Sequence, residues 1–336
     1  MTVTVLYPEA RQLPDALEQE IFGPEVRILS REAKTSLAEL APEDCAEIDG
    51  LTITGFKVGE ADFARFPRLR AVLRTGVGYD NIDRKAAAAR NILVLNVPDY
   101  GTTEVADHAM ALVLSLRRGV ILYHESQRQD PPGPWRPVKG ALIRRFGVQT
   151  FGIIGLGRIG TAVALRAKAF GFRVVFYDPY LPNGVELALG IARAASLEDL
   201  LLQTDTLTIH APLTPETRSL LGREQLALLR PGAVVVNTAR GPIVDLDALL
   251  AALRDGHIAA AGLDVVPVEP PVEPVPELLR AYRARESWLD GRLVVTPHAA
   301  WFTPESEHDT RVKAAQTMRA ALLTNRPQNV ITPEMY

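Results

Sequence analysis

Short apolar runs alternate along the chain with longer stretches whose apolar positions recur every three or four residues. This is the pattern of a parallel sheet covered by helices. From Met1 to about Pro98, the runs Val3–Tyr7, Val26–Leu29, Leu51–Thr54, Ala71–Arg74 and Ile92–Leu95 read as strands. A second set begins at Thr150, with Phe151–Ile154, Val174–Tyr177, Thr206–His210, Ala233–Asn237, Ala261–Leu263 and Leu293–Thr296. Between the sets, Val105, Ala109, Leu112, Val113 and Leu116 share one face of a helix expected from near Thr103 to about Glu125. The stretch Arg158 to Phe170 reads as another helix, and a last one, about Pro304 to Thr324, follows every strand. A helix left over after two αβ sets predicts two doubly wound domains, with the chain crossing near Pro98–Gly101 and again near Trp301–Thr303. Residues 1–98 with 303–336 then form one domain and 99–302 the other, and ligands are expected in the cleft between them.

Two stretches break the pattern. Arg128 to Arg145 carries Pro131, Pro132, Pro134 and Pro137 among five basic side chains, and Val266 to Glu277 carries five prolines. Both read as loops. The basic one is expected to be a solvated arm or a subunit contact, with an anion site as the alternative.

With 336 residues and 47% apolar side chains, there is material for about two cores. A net charge of -3 argues against nucleic acid or an anionic membrane surface as a partner. The single cysteine, Cys45, leaves no internal disulfide and no cysteine-rich zinc cage, and fits a reducing compartment. The amino terminus lacks a charged start and a long apolar stretch, and no apolar run reaches membrane-spanning length. A cytoplasmic, soluble protein is the expectation.

The candidate chemistry begins at Gly155-Leu156-Gly157-Arg158-Ile159-Gly160, which closes a predicted strand and opens a predicted helix. In that setting Gly155 permits a tight turn, Gly157 lets backbone approach a pyrophosphate, and Gly160 lets the helix pack on the sheet. The helix start offers N–H groups and a positive dipole end to phosphates. Asp178 ends the next strand, 18 residues after Gly160. Its carboxylate suits ribose hydroxyls and repels a 2′-phosphate, and Pro179 and Tyr180 follow it rather than a basic residue, which favours NAD over NADP. A structural glycine turn is the bland alternative.

Three polar residues follow. Arg240 lies just past the strand ending at Asn237, where an arginine can fork onto a carboxylate; a surface salt bridge is the alternative. Glu269 sits in the proline-rich loop, where an exposed carboxylate is the ordinary outcome. His298 follows the Leu293–Val295 run and can pass a proton near neutral pH, although a lone histidine is more often structural. With a hydride carrier, these parts suffice to interconvert a 2-keto acid and a 2-hydroxy acid. Asp264 either caps a turn or meets a nicotinamide amide. No histidine–carboxylate cluster has ligand spacing, so no metal is expected.

From about Ala71 to Thr324 the chain resembles the D-isomer-specific 2-hydroxyacid dehydrogenases, and within them the C-terminal-binding-protein branch. The stretches that carry the likeness are 73–81, 154–160 with 165–172, 176–180, 236–241, 262–265 and 296–301. Residues 1–70 match only in general pattern. The resemblance implies two Rossmann/flavodoxin-like domains, NAD as cofactor, and a small 2-keto or 2-hydroxy acid as substrate. It implies a homodimer joined through the NAD domain.

The same resemblance makes His298 the acid/base, Glu269 its carboxylate partner and Arg240 the substrate anchor. It sets the backbone at Val77-Gly78 against the substrate carboxylate and puts Arg74 and Trp301 near the substrate. Thr103, Arg158, Ile159, Pro179, His210, Ala211, Pro212, Thr217, Thr238, Ala239 and Asp264 fall where the family contacts NAD. Residues around Leu279–Trp288 stand out as an insertion that could reshape the substrate mouth or a subunit contact. Two other functions share this pattern: an NAD(H)-sensing corepressor-type protein, and a formate- or phosphite-type dehydrogenase.

Overall fold

The computed structural model of the chain describes residues 2–9, 14–140, 142–324 and 326–335, so Met1, Ala141 and Tyr336, which fall within ranges discussed above, lie outside it. The chain forms two compact units, Met1–Gly101 with Thr303–Tyr336, and Thr102–Phe302.

The first unit holds five strands, β1 Val3–Glu9, β2 Val26–Ala33, β3 Gly50–Ile53, β4 Ala71–Arg74 and β5 Leu93–Asn96. They pair in parallel in the order β2-β1-β3-β4-β5, the flavodoxin-like winding. One face packs Val5, Leu73 and Leu95 against Ala314, Ala315, Met318 and Leu322 of the final helix, Pro304–Leu323. The other face packs Leu6, Leu51, Ile53 and Val72 against Leu37, Phe63 and Phe66.

The final helix starts where the sequence says it should. Thr303 accepts from the Ser306 N–H in a reciprocal capping box, and Pro304 fills the first turn. Gly50 makes room for its far end, because a Cβ there would lie 2.8 Å from both Leu322 and Met318. Arg311 of this helix forks onto the buried carboxylate of Glu18 at 2.7 and 2.6 Å.

The second unit holds seven parallel strands, β6 Thr150–Ile154, β7 Arg173–Tyr177, β8 Ala192–Arg193, β9 Thr206–Ile209, β10 Ala233–Asn237, β11 Ile258–Leu263 and β12 Leu293–Val295. Their order, β12-β11-β10-β9-β6-β7-β8, reverses between β6 and β9. That reversal is the switch point at whose carboxyl end open α/β sheets take ligands. Strand β8 went unread because two residues are too few to show a period.

The single helix expected from Thr103 to Glu125 is corrected to two, Thr102–Arg117 and Val120–Arg128. Gly119, at φ +66, ends the first of them in the left-handed region that glycine enters at no steric cost. The apolar face closes at Leu116 in the same turn, and no residue of the second helix is buried.

Arg117 is the largest fully buried side chain among the described residues. Its guanidinium donates to Thr206 Oγ1 at 2.9 Å, to Gly232 O at 3.2 Å and to Asp205 O. Burial pulls its pKa down to about 10, so it stays charged at neutral pH.

The residues around 279–288, expected from the sequence to be extra, form the helix Glu277–Arg283 and a following 3-10 turn. Leu278, Ala281 and Leu289 join the core that contains Leu249 and Leu253. Arg254 pairs with Glu277 at 2.8 Å and lies over the Trp288 ring. Leu279 packs instead on Val266 and Val275 of the loop that carries Glu269.

Candidate active site

The glycines of the fingerprint have separate physical reasons. Gly155 sits at φ +84, and a Cβ on it would come within 2.8 Å of the Ala211 backbone. A Cβ on Gly160 would fall 2.1 Å from Gly155 O. Both are demanded by the packing of the turn on itself and on the His210-Ala211 strand end. Around Gly157 a Cβ would meet nothing within 4 Å, so the space in front of the helix Arg158–Ala169 is open. The two packed glycines shape a cradle, and the third keeps it clear.

Of the other predicted cofactor residues, Asp178 and the His210-Ala211 strand end adjoin this turn. Asp178 accepts from Leu156 N at 2.9 Å and from Tyr180 N at 3.0 Å, which pins its carboxylate beside the cradle at the end of β7. Arg158 and Pro179 are exposed and Ile159 half-buried. His210, at the end of β9, sits with Nε2 2.9 Å from Thr208 Oγ1, and burial pushes its pKa down to about 3, so the ring is neutral at pH 7. Thr217 spends its hydroxyl on Pro212 O at 2.6 Å and closes that turn, while the Thr103 hydroxyl donates to Glu104. Ala239 N donates to Asn237 Oδ1.

Thr238, one residue past β10, has a buried hydroxyl with no hydrogen-bond partner. A buried hydroxyl left unmet costs about 1–3 kcal/mol, a debt that a bound ligand removes. The open cradle, the pinned acid and the unmet hydroxyl all lie at the carboxyl ends of strands in one sheet and fit a dinucleotide.

The ionisable trio comes from three strand ends of the same unit. Arg240 follows β10; its Nη1 donates to Ala239 O at 2.8 Å, and its own carbonyl accepts from Asn237 Nδ2 at 2.9 Å. Gly241 lets that turn lie directly on the loop after β11, because a Cβ there would sit 2.0 Å from Val266 C and 2.1 Å from Val266 O. Three residues on, Glu269 folds back so that Oε1 accepts from Val266 N at 2.8 Å. Its Oε2 stands 2.6 Å from Nδ1 of His298. Burial raises the Glu269 pKa, but the imidazole bond, the backbone donor and the charge of Arg240 outweigh it and hold the carboxyl below its ordinary value.

His298 occupies φ +53, unusual for a side chain of this size. Asp264 braces the turn. Its carbonyl accepts from His298 N at 2.8 Å, Oδ1 from Ala299 N at 2.9 Å and Oδ2 from Ala300 N at 3.0 Å. Of the two readings of Asp264, the structure shows the turn cap: its carboxylate is fully buried and satisfied from within the chain.

Arg74, Val77 and Gly78 belong to the first unit, where β4 turns into the next loop. Gly76 sits there at φ +155, a backbone conformation that L side chains rarely adopt, with the Arg74 guanidinium lying over it. Asn96 Nδ2 holds the Val77 carbonyl at 2.7 Å. Trp301, in the second unit, is half-buried and meets Phe302 edge to face. Gly241 and the bracing partners of Asp264 were not read from the sequence. The Gly-Pro pair after Arg240 was a usable signal for a tight turn, whereas nothing local pointed to the bracing. Among the described residues, no group of three or more His, Cys, Asp or Glu could hold a metal ion, and no helix is long and apolar enough to cross a membrane.

Known proteins share this architecture. Residues 110–300 match the family model described as D-isomer specific 2-hydroxyacid dehydrogenase, NAD binding domain. A D-3-phosphoglycerate dehydrogenase of Mycobacterium leprae is 38% identical over 300 residues, which is 89% of this chain and 53% of that protein. One from Methanocaldococcus jannaschii is 37% identical over 290 residues, 86% of this chain and 52% of its own length. The chain thus spans about half the length of the curated relatives it matches.

Among solved structures, the TT0316 protein from Thermus thermophilus is 31% identical with a TM-score of 0.81, covering 98% of this chain and 100% of that one. A glyoxylate reductase from Paecilomyes thermophila is 26% identical with a TM-score of 0.83, covering 99% and 98%. The fingerprint cradle, the trio at successive strand ends and these matches converge: the chain belongs to the D-isomer specific 2-hydroxyacid dehydrogenase family and carries that family's NAD-binding domain.

Proposed function

We propose that the protein is an NAD-dependent dehydrogenase that interconverts a 2-keto acid and a D-2-hydroxy acid. The observation that carries this reading is the 2.6 Å contact between His298 Nδ1 and Glu269 Oε2, set beside the Arg240 turn. With Nδ1 engaged by a carboxylate that stays ionised, Nε2 is the atom that delivers a proton to the keto oxygen or removes one from the hydroxyl. Arg240 forks onto the substrate carboxylate and polarises the neighbouring carbonyl. NAD, when bound, supplies the hydride acceptor or donor. The Gly155–Gly160 turn, Asp178 and the Thr238 hydroxyl hold it, with Thr103, Arg158, Ile159, Pro179, His210, Ala211, Pro212, Thr217 and Ala239 around it.

The backbone at Val77-Gly78 in the first unit is assigned to the substrate carboxylate, and Arg74 and Trp301 to the substrate side chain. NAD is favoured over NADP because Asp178 repels a 2′-phosphate. Arg193, which reaches the Asp178 carbonyl, is spent there, on Glu186 at 3.0 Å and on the carbonyls of Leu181 and Pro182. A cytoplasmic setting suits a chain whose one cysteine is a free, buried thiol.

NADH oxidation against a panel of glyoxylate, pyruvate, hydroxypyruvate, phosphohydroxypyruvate and phenylpyruvate tests the proposal. His298→Ala should cost about 10²–10⁴ in turnover while sparing NADH binding. Unchanged turnover would defeat the assignment, and tight NADH binding with no turnover of any keto acid would favour a sensor. A homodimer joined through the second unit is part of the same proposal. Its support is the helix Val120–Arg128, which has no fully buried residue, next to Trp135 at 92% exposure. Light scattering that finds a monomer at micromolar concentration would remove that part.

A further inference from the structure

A second histidine is wired into the acid/base turn. His108 lies on the helix Thr102–Arg117, far from His298 in sequence, and its Nε2 is 3.0 Å from Thr296 Oγ1. Thr296 Oγ1 donates to Asp264 Oδ1 at 2.6 Å. A threonine hydroxyl has one proton, and the shorter bond takes it, so the contact with His108 requires the ring to be the donor. The ring therefore carries its proton on Nε2, and the chain runs in one direction, from His108 to Thr296 to Asp264.

Asp264 Oδ1 also holds Ala299 N, and the Asp264 carbonyl holds His298 N. The imidazole of His108 thus fixes a hydroxyl that fixes the carboxylate bracing a strained turn, and donors in series polarise one another. The side chain of His108 is only about a quarter exposed, and Nε2 lies 3.7 Å from Asp264 Oδ1, too far for a direct bond and close enough to favour the same orientation.

We infer that His108 is a positioning residue for the proposed reaction: through Thr296 and Asp264 it sets the turn that aims the His298 ring, without touching substrate or cofactor. This rests on His298 being the acid/base. The bland alternative is that His108 merely packs its helix on the sheet.

His108→Leu removes the donor and keeps an apolar body. With the keto acid turned over fastest in the panel above, kcat should fall about tenfold, since small misplacements of a reacting group carry costs of this order. KM and the Kd for NADH should stay within about twofold, a split expected when ground-state binding is untouched. His108→Gln offers an amide N–H in place of Nε2 and should recover most of the loss. Thr296→Val breaks the same chain at its next link, so it should lose a similar factor, and His108→Leu added to it should lose little more.

Hydrogen exchange in the cofactor-free protein gives a readout free of turnover. The Ala299 and Ala300 amides should exchange faster in His108→Leu and return toward native rates in His108→Gln. Native kcat in His108→Leu, equal losses in the Leu and Gln variants, multiplicative losses in the double variant, or unchanged exchange at Ala299 and Ala300 would each overturn the inference. If His108→Leu fails to fold, Thr296→Val with native kcat does so equally. His298→Ala separates the two levels: full activity there sinks the acid/base reading, whereas an inactive His298→Ala beside a fully active His108→Leu sinks only this one.

Discussion

Gly241→Ala is a one-methyl change on a residue with no chemistry of its own, and the structure says where the methyl goes. Its carbon would lie 2.0 Å from Val266 C, 2.1 Å from Val266 O and 2.4 Å from Pro267 N, all backbone atoms that cannot swing aside. Carbon atoms settle at about 3.5 Å or more, so the two loops must part by roughly 1.5 Å. One loop carries Arg240. The other carries Glu269, whose Oε1 is tied to Val266 N at 2.8 Å, so the displacement reaches the Glu269–His298 pair directly.

Overpacking of this kind costs about 1–3 kcal/mol, which in a unit of this size lowers Tm by a few degrees. Catalysis should suffer more, since about 1 Å of misplacement can cost on the order of 10²-fold. Steady-state NADH oxidation, NADH binding by fluorescence quenching and a thermal melt separate the effects. The expected result is kcat down about 10²-fold, Tm lower by a few degrees and a smaller loss of NADH affinity, because the fingerprint turn follows a different strand and only Thr238 and Ala239 adjoin the displaced loop. A Gly241→Ala protein with native kcat would show that the registry of these two loops does not matter and would refute the reasoning.

Gly157→Ala is the contrast: with nothing within 4 Å of the new Cβ, the cofactor-free protein should melt as the native does, while NADH binding weakens at least about tenfold as the methyl enters the cradle; unchanged affinity in a titration would move the pyrophosphate elsewhere. Arg240→Lys keeps the charge but loses the fork, so KM for the keto acid should rise and kcat fall together, as steady-state kinetics would show. Trp301→Ala should reorder preference among keto acids in the panel, and an identical profile would remove Trp301 from the pocket. At Glu18, burial raises the carboxyl pKa, but the Arg311 fork and the Asp15 N–H hold it below the ordinary 4.5. A depressed carboxylate adds stability that is complete above pH 4.5 and is lost as pH falls through the folded-state value. Glu18→Gln should therefore cost about 3 kcal/mol at pH 7 in urea unfolding, and the gap from native should narrow as pH falls below 4.5.

Every strand but β8, the Gly155–Gly160 turn, the start of the last helix near Pro304 and the residue types of the trio were legible in the chain. Each is written in local periodicity or in the intrinsic demands of a few neighbours, because a parallel strand buried on both faces must be apolar and a helix start must supply its own caps. The break at Gly119 was also written locally, in a glycine that follows the last apolar-face residue, Leu116, within one turn. The segment around residues 279–288 reads as surplus until Leu278, Ala281 and Leu289 are seen in the core with Leu249 and Leu253. Which glycine is tight and which is open, that Gly241 lies against Val266, that Asp264 is used up within the turn, and that His108 reaches Thr296 across 188 residues of sequence all depend on distances between segments remote along the chain. Such distances are set when the whole sheet closes its core, and no window of neighbouring residues contains them.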